Sequence, residues 1–281
     1  AMQMGMSIAN DEDNFLGFEI KQKGLSVLFA DTEIGERLLT ERYDLLKHNF
    51  RWTGSFRFNM ISKKGTFKDI WNDLISAIIH FKPDVVIIDC LYNTCVEKEF
   101  SKSHKISGLI ERLTEIKNEH NITLYCIHHM NKGSHELGLQ KDRMSGASAL
   151  QNWVEHLILM TDTNDPCMRL IKIDKSRVID YPKCYYGIEW DSEKLLLINN
   201  GLVENWQKYL QTEEMILKWK EALDRMNNQF QTKDWLNVVE CEMGKSERTA
   251  YGWLSEMKRS GVIKDIKYGE WKKSLDILQS E

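Results

Sequence analysis

Four short apolar runs alternate with helix-like stretches in the first half of this chain, and the third run is apolar without interruption. It reads Lys82-Pro83-Asp84-Val85-Val86-Ile87-Ile88-Asp89. A strand that is apolar on both sides must be covered on both faces, which is the position of a central strand in a parallel sheet. The other runs are Leu25 to Ala30, Phe56 to Ile61 and Ile122 to Ile127. Between them, Ile34 to Lys47, Thr66 to His80 and Ile106 to Glu119 read as helices, the second with apolar residues at Ile70, Leu74, Ile75, Ala77 and Ile78. Such alternation predicts an α/β domain with a mainly parallel sheet flanked by helices.

The pattern changes after residue 160. Met168 to Asp174, Cys184 to Trp190 and Leu195 to Ile198 are strand-like with no helix between them, so antiparallel strands are expected to close the edge of the sheet. Asn199-Asn200-Gly201 signals a turn, and 201–212 is the expected linker between a first domain, 1–200, and a second, 213–281. In the second, Glu213 to Asn227, a stretch opened by Thr232, and Ser246 to Ser260 read as helices. Ser246 caps the last and Gly261 stops it. Val262 to Ile266 and Glu270 to Lys272, separated by Tyr268-Gly269, complete the pattern of a winged helix. Trp235, Trp253, Leu254 and Ile263 are expected in its core.

The chain has 281 residues, a net charge of −4, and 3 prolines, which leaves no room for a long disordered tract. No apolar run approaches the roughly 20 residues that span a bilayer, so no membrane partner is expected. The six cysteines show no CxxC pair and read as reduced thiols of a cytoplasmic protein. A zinc site from Cys126, His128 and His129 is a lesser alternative.

Four places could carry chemistry. Asp89 ends a buried strand, where it can hold hydrated Mg²⁺ or cap a helix. Glu33, in Phe29-Ala30-Asp31-Thr32-Glu33, can orient and deprotonate a water or sit in the first turn of a helix. In Cys126-Ile127-His128-His129-Met130-Asn131-Lys132 only one histidine can face the site, because side chains alternate, and His129 is the choice. Lys175 and Arg177, two apart, project to one side as a cationic clamp or as a solvated edge.

In their order and spacing these residues, with Met144 to Leu150 and Leu157 to Met160, resemble the RecA-like ATPases of the RepA and DnaB type, which include hexameric replicative helicases of plasmids, phages and mobile elements. The resemblance covers roughly residues 1–200. It implies ATP and Mg²⁺ as cofactors, Asp89 as the acid acting through Mg²⁺, and Glu33 as catalytic base. It makes His129 the link from γ-phosphate to DNA-binding loops, and Lys175 and Arg177 the fingers reaching a neighbouring subunit. Lys141 and Arg143, in the loop 133–145, would touch DNA in the central channel of a hexamer.

The family also uses a phosphate-cradling GxxxxGK[ST] loop. None stands in these residues, since Val239 occupies the first-glycine position before Gly244-Lys245-Ser246. Ala1 to Ala9 reads as the inside of a helix, so the numbering is expected to start downstream of the true N-terminus, with the loop just upstream.

In the second domain Lys245, Arg248, Thr249 and Tyr251 on the candidate recognition helix, and Lys264 and Lys267 on the wing, are positioned for DNA. A winged helix used for protein contacts fits the same residues. The function expected is a DNA-dependent ATP-hydrolysing motor. Alternatives are a non-enzymatic DNA-binding regulator of replication or transcription, and an ATP-switched loader or recombination factor.

Overall fold

A computed structural model describes residues 1–51, 56–62, 67–94, 103–129, 139, 147–178, 180–210 and 213–274. Its elements run α1 (Met2–Ala9), β1 (Asn14–Phe15), β2 (Phe18–Glu19), β3 (Val27–Asp31), α2 (Glu36–Lys47), β4 (Phe58–Ser62), α3 (Phe67–Phe81), β5 (Val85–Asp89), α4 (Ser103–His120) and β6 (Thr123–Cys126). Then come α5 (Ala147–Trp153), β7 (His156–Asp162), β8 (Met168–Ser176), β9 (Tyr185–Asp191) and β10 (Leu196–Leu202). The chain continues with α6 (Glu213–Asp224), β11 (Gln229–Gln231), α7 (Thr232–Asn237), α8 (Glu247–Arg259), β12 (Ile263–Lys267) and β13 (Glu270–Lys273).

The expected parallel sheet is present, in the order β4-β3-β5-β6. Its two central strands are buried on both faces. Val27 and Phe29 of β3, with Val85 and Ile87 of β5, face a core shared with α1 and α2. Leu28 and Ala30, with Val86 and Ile88, face the opposite core with α3 and α4. The alternation is the strand period of two expressed in a strand with no polar side. On α3, Trp71, Leu74 and Ile78 form the buried stripe, and the Trp71 indole N–H donates to the Thr94 carbonyl at 2.9 Å.

This order has a consequence for the site. From β3 the chain crosses to β4 through α2 on one face, and later from β5 to β6 through α4 on the other. Right-handed crossovers require those helices to leave on opposite faces. The crevice between β3 and β5, at the strands' C-terminal ends, is therefore the topological switch point, where open α/β sheets bind ligands.

The antiparallel strands depart from expectation. They form a four-stranded meander of their own, β10-β9-β8-β7, instead of closing the edge of the parallel sheet. Each pairs with its chain neighbour, so the meander is satisfied locally. It is tied to α1 by Gln3, whose amide donates to the Leu197 carbonyl at 3.1 Å and accepts from the Leu197 N–H at 2.9 Å. Asn199-Asn200-Gly201 is not a terminal turn but a bulge inside β10, with Gly201 at φ +89°. The described part of the expected linker is packed. Trp206 to Leu210 forms a 3₁₀ turn, Trp206 stacks on Tyr185 with centroids 4.0 Å apart, and Leu210 is buried. The β1–β2 hairpin, turning through Leu16 and Gly17 at φ 50° and 77°, had no clear sequence signal.

Residues 213–274 have a separate core around Trp219, Trp235, Leu254, Met257 and Ile263, with Trp253 packed against it. Ser246 caps α8 by accepting from the Thr249 N–H at 3.2 Å, and Gly261 follows at φ +74°. Thr232 is not the cap of α7. That place belongs to Gln231, whose N–H donates to Asp234, while the Thr232 hydroxyl donates to the Gly269 carbonyl. The expected hairpin β12–β13 carries a third strand, β11, paired with β13.

Helix α1 lies so close to the sheet that a Cβ on Gly5 would meet Ile87 Cδ1 at 2.8 Å and Phe58 at 3.0 Å. Gly5→Leu is expected to destabilise the protein by about 1–3 kcal/mol through overpacking. An unchanged urea midpoint would contradict that contact.

Candidate functional site

Parallel pairing places Asp31 of β3 opposite Asp89 of β5 and Ser62 of β4, so three polar groups line one edge of the sheet. The two aspartates are not equivalent. Asp31 is buried, and its carboxylate accepts from the backbone N–H groups of Glu33, Ile34 and Gly35 at 3.2, 3.1 and 2.9 Å and from the Ser62 hydroxyl at 2.8 Å. It fixes the tight loop between β3 and α2. Asp31 thus shapes the loop that leads to α2, whose N-cap is Gly35, and Glu33, held by that loop, keeps its carboxylate about half exposed.

The tips of the neighbouring strands are tied together. The Thr32 N–H donates to the Asp89 carbonyl, the Thr32 hydroxyl to the Cys90 carbonyl, and the Asn93 amide to the Thr32 carbonyl, at 2.8 to 3.0 Å. The Asp89–Cys90 peptide is cis. Beyond β6, the Ile127 N–H donates to Ile88 and the Leu91 N–H to Ile127. This lacing carries His129 across to the β3 loop, where its Nε2 lies 3.5 Å from Glu33 Oε2. Both side chains are about half exposed, at 62% and 48%, so they are open to a ligand.

Burial is the main influence on the Asp89 carboxyl and holds its pKa above the usual range. Arg42 pulls the other way, while the charges of Glu33 and Asp31 add to the rise. Asp89 therefore sits among like charges with too little solvent, an arrangement that a bound cation relieves. The donor set fits a hard divalent ion held through one or two carboxylates and water. Asp89 and Glu33 are the residues that would hold it. A triphosphate also needs a cradle of backbone amides, and the 281 residues contain no GxxxxGK[ST] loop.

The structure does not gather Cys126, His128 and His129 into a metal site. Cys126 is partly buried, and burial pushes its thiol up to about 12. Among the described residues the gathered set is Glu33, Cys90 and His129. Cys90 was missed as a site residue because in the sequence it is only the next residue after an acid.

Lys175 and Arg177 do project to one side. Lys175 Nζ donates to the Gln151 carbonyl, and the Arg177 guanidinium to the Asn152 carbonyl, both in the last turn of α5. Lys141 and Arg143 lie outside the described residues. Within residues 213–274, Lys245, Arg248, Tyr251 and Lys264 are exposed. Lys267, also exposed, pairs with Glu270 at 2.7 Å. Thr249 is partly buried, and its hydroxyl shares a 2.9 Å hydrogen bond with Ser246, so it belongs to the helix cap. Lys273 is turned inward, donating to the Leu223 and Met226 carbonyls at the end of α6.

A stability consequence follows from Asp89. The folded protein holds its proton more tightly than the unfolded chain, so stability falls as pH rises from the ordinary carboxylate range through the raised value. At neutral pH the ionised group carries the full cost. Metal-free Asp89→Asn is expected to melt higher than the parent at pH 7, with the gap closing below the unfolded carboxyl value of about 4. A lower melting temperature for the variant at pH 7 would contradict this.

Residues 1–135 match the family model described as an AAA domain. Together with the parallel sheet and its acidic rim, this match supports an ATPase-type domain in the first half of the chain. Among solved structures, a KaiC-like protein from the hyperthermophilic archaeon Pyrococcus horikoshii OT3 is similar at 14% identity and a TM-score of 0.45, over 63% of this chain and 76% of that one. A likeness at that level adds nothing to the fold assignment. Comparison with curated proteins gives no match.

Proposed function

We propose that this chain provides the hydrolytic edge of a Mg²⁺-dependent ATPase acting on DNA, in the manner of RecA-like hexameric helicases of the RepA and DnaB type. The observation that carries the reading is the meeting of Glu33, Asp89 and His129 at the switch point of the parallel sheet. ATP with Mg²⁺ supplies the electrophilic phosphoryl group when bound. Glu33 orients the attacking water and accepts its proton. Asp89 holds the hydrated cation through its half-buried carboxylate. His129, beside Glu33, feels the state of that site and passes it to the loop that follows, where Lys141 and Arg143 face DNA. Lys175 and Arg177 now rest on neutral carbonyls, and exchanging these for phosphoryl oxygens in a neighbouring subunit strengthens the pairing. The winged unit adds a duplex-binding surface of Arg248, Tyr251, Lys245 and Lys264.

A second reading, a non-enzymatic DNA-binding regulator, is favoured by that exposed helix-and-wing surface. Turnover separates the two. In the protein expressed from its complete reading frame, ATP hydrolysis should rise on adding single-stranded DNA. Glu33→Gln should lower kcat by about 10²–10⁴-fold with KM little changed, and Asp89→Asn should abolish Mg²⁺-dependent turnover. Undiminished turnover in both variants would remove the ATPase reading. A forked-duplex assay then separates a motor, which unwinds it, from a loader, which does not.

The DNA surface has its own test. Arg248→Ala should weaken duplex binding and reduce the slope of log K against log salt by about 1. Unchanged affinity and slope would instead favour protein contacts for the winged unit.

A further inference from the structure

Cys90 takes no part in the chemistry proposed above, yet it faces the same edge. One ligand atom each from Glu33, Cys90 and His129 lie within 4.8 Å of one another. From this juxtaposition we propose that Glu33, Cys90 and His129 form a binding site for a borderline-soft divalent cation, Zn²⁺ above all.

A carboxylate, a thiolate and an imidazole are the ordinary protein ligands of zinc, and three of them with an open position make a site that still admits water or substrate. Metal–ligand bonds of about 2.0–2.3 Å bring ligand atoms in a tetrahedral shell to about 3.3–3.8 Å apart. The present spread of up to 4.8 Å therefore closes by small rotations. The two side chains that must rotate, Glu33 and His129, are exposed. The third is fixed. Cys90 is buried, with the Asn93 amide 3.7 Å from its sulfur and its carbonyl accepting from Thr32. A rigid sulfur at the base and two swinging ligands at the mouth leave the fourth position toward solvent.

Ligand softness separates this site from that of Mg²⁺. The oxygen-only pair, Asp89 and Glu33, suits a hard ion, whereas sulfur and nitrogen beside the shared Glu33 select zinc. Resting on the function proposed above, zinc occupancy takes Glu33 and His129 out of hydrolysis, so Zn²⁺ inhibits the ATPase and Cys90→Ser relieves the inhibition.

The test of the site itself does not depend on turnover. Reduced, metal-free protein from the complete reading frame is titrated with Co²⁺ as the probe. A thiolate-to-cobalt band in the near ultraviolet, with the visible absorption of a four- or five-coordinate ion, is expected at one equivalent and should be displaced by Zn²⁺. Cys90→Ser should remove the thiolate band. His129→Asn and Glu33→Gln, at exposed positions that leave the fold intact, should weaken Co²⁺ binding at least about tenfold. Changing the two cysteines exposed among the described residues, Cys167→Ser with Cys241→Ser, should leave the band in place. No band in the parent, a band that survives Cys90→Ser, or Co²⁺ affinity unmoved by His129→Asn would each overturn the proposal. Absent ATPase activity with the cobalt band present would overturn the catalytic reading and leave this site standing.

Discussion

The in-register pairing of β3 with β5 is the interaction on which the rest depends. It puts Asp31 beside Asp89 at one edge of the sheet and makes the crevice between them the place where crossover helices diverge. A buried and a half-buried aspartate side by side are unstable unless each is handled. Asp31 is satisfied by three backbone N–H groups and a hydroxyl, and in return it shapes the loop that presents Glu33. Asp89 has no such set among the hydrogen bonds described, and burial holds its carboxyl pKa above the usual range. A shift of one residue in that pairing would turn one acid into the core and dissolve the site.

The layering serves the same end. Both central strands are apolar on each side, so cores form on two faces and hold the strands with little freedom. The strands that carry the rim are braced on both faces, while Glu33 and His129 on its loops stay exposed to a ligand. The antiparallel meander is a separate structural layer, attached through Gln3 of α1 to β10.

Much of this was legible in the sequence, for identifiable reasons. Val85 to Ile88 could only be a doubly covered strand, and the acid at its end stands, as expected, at the C-terminal edge of the sheet. Alternation allowed only one of the two histidines to face the site, and His129, the one chosen, stands beside Glu33. What the sequence hid depended on long-range pairing. Asp31 and Glu33 look alike two residues apart, and only the backbone of the β3–α2 loop separates the structural acid from the exposed one. Cys90 acquires meaning only when β6 brings His129 across from 39 positions away. The separate meander was missed because strand-like runs do not state which sheet they join, and the bulge in β10 was mistaken for a terminal turn because Asn-Asn-Gly suits both.

A structure of the complete protein with Mg²⁺, ADP and a phosphate mimic tests the central claim most directly. The account predicts the mimic in the crevice between β3 and β5, a water between it and the Glu33 carboxylate, and Asp89 contacting the ligands of the metal. Nucleotide bound away from that crevice, or Glu33 turned from the mimic with Asp89 unengaged, would contradict it.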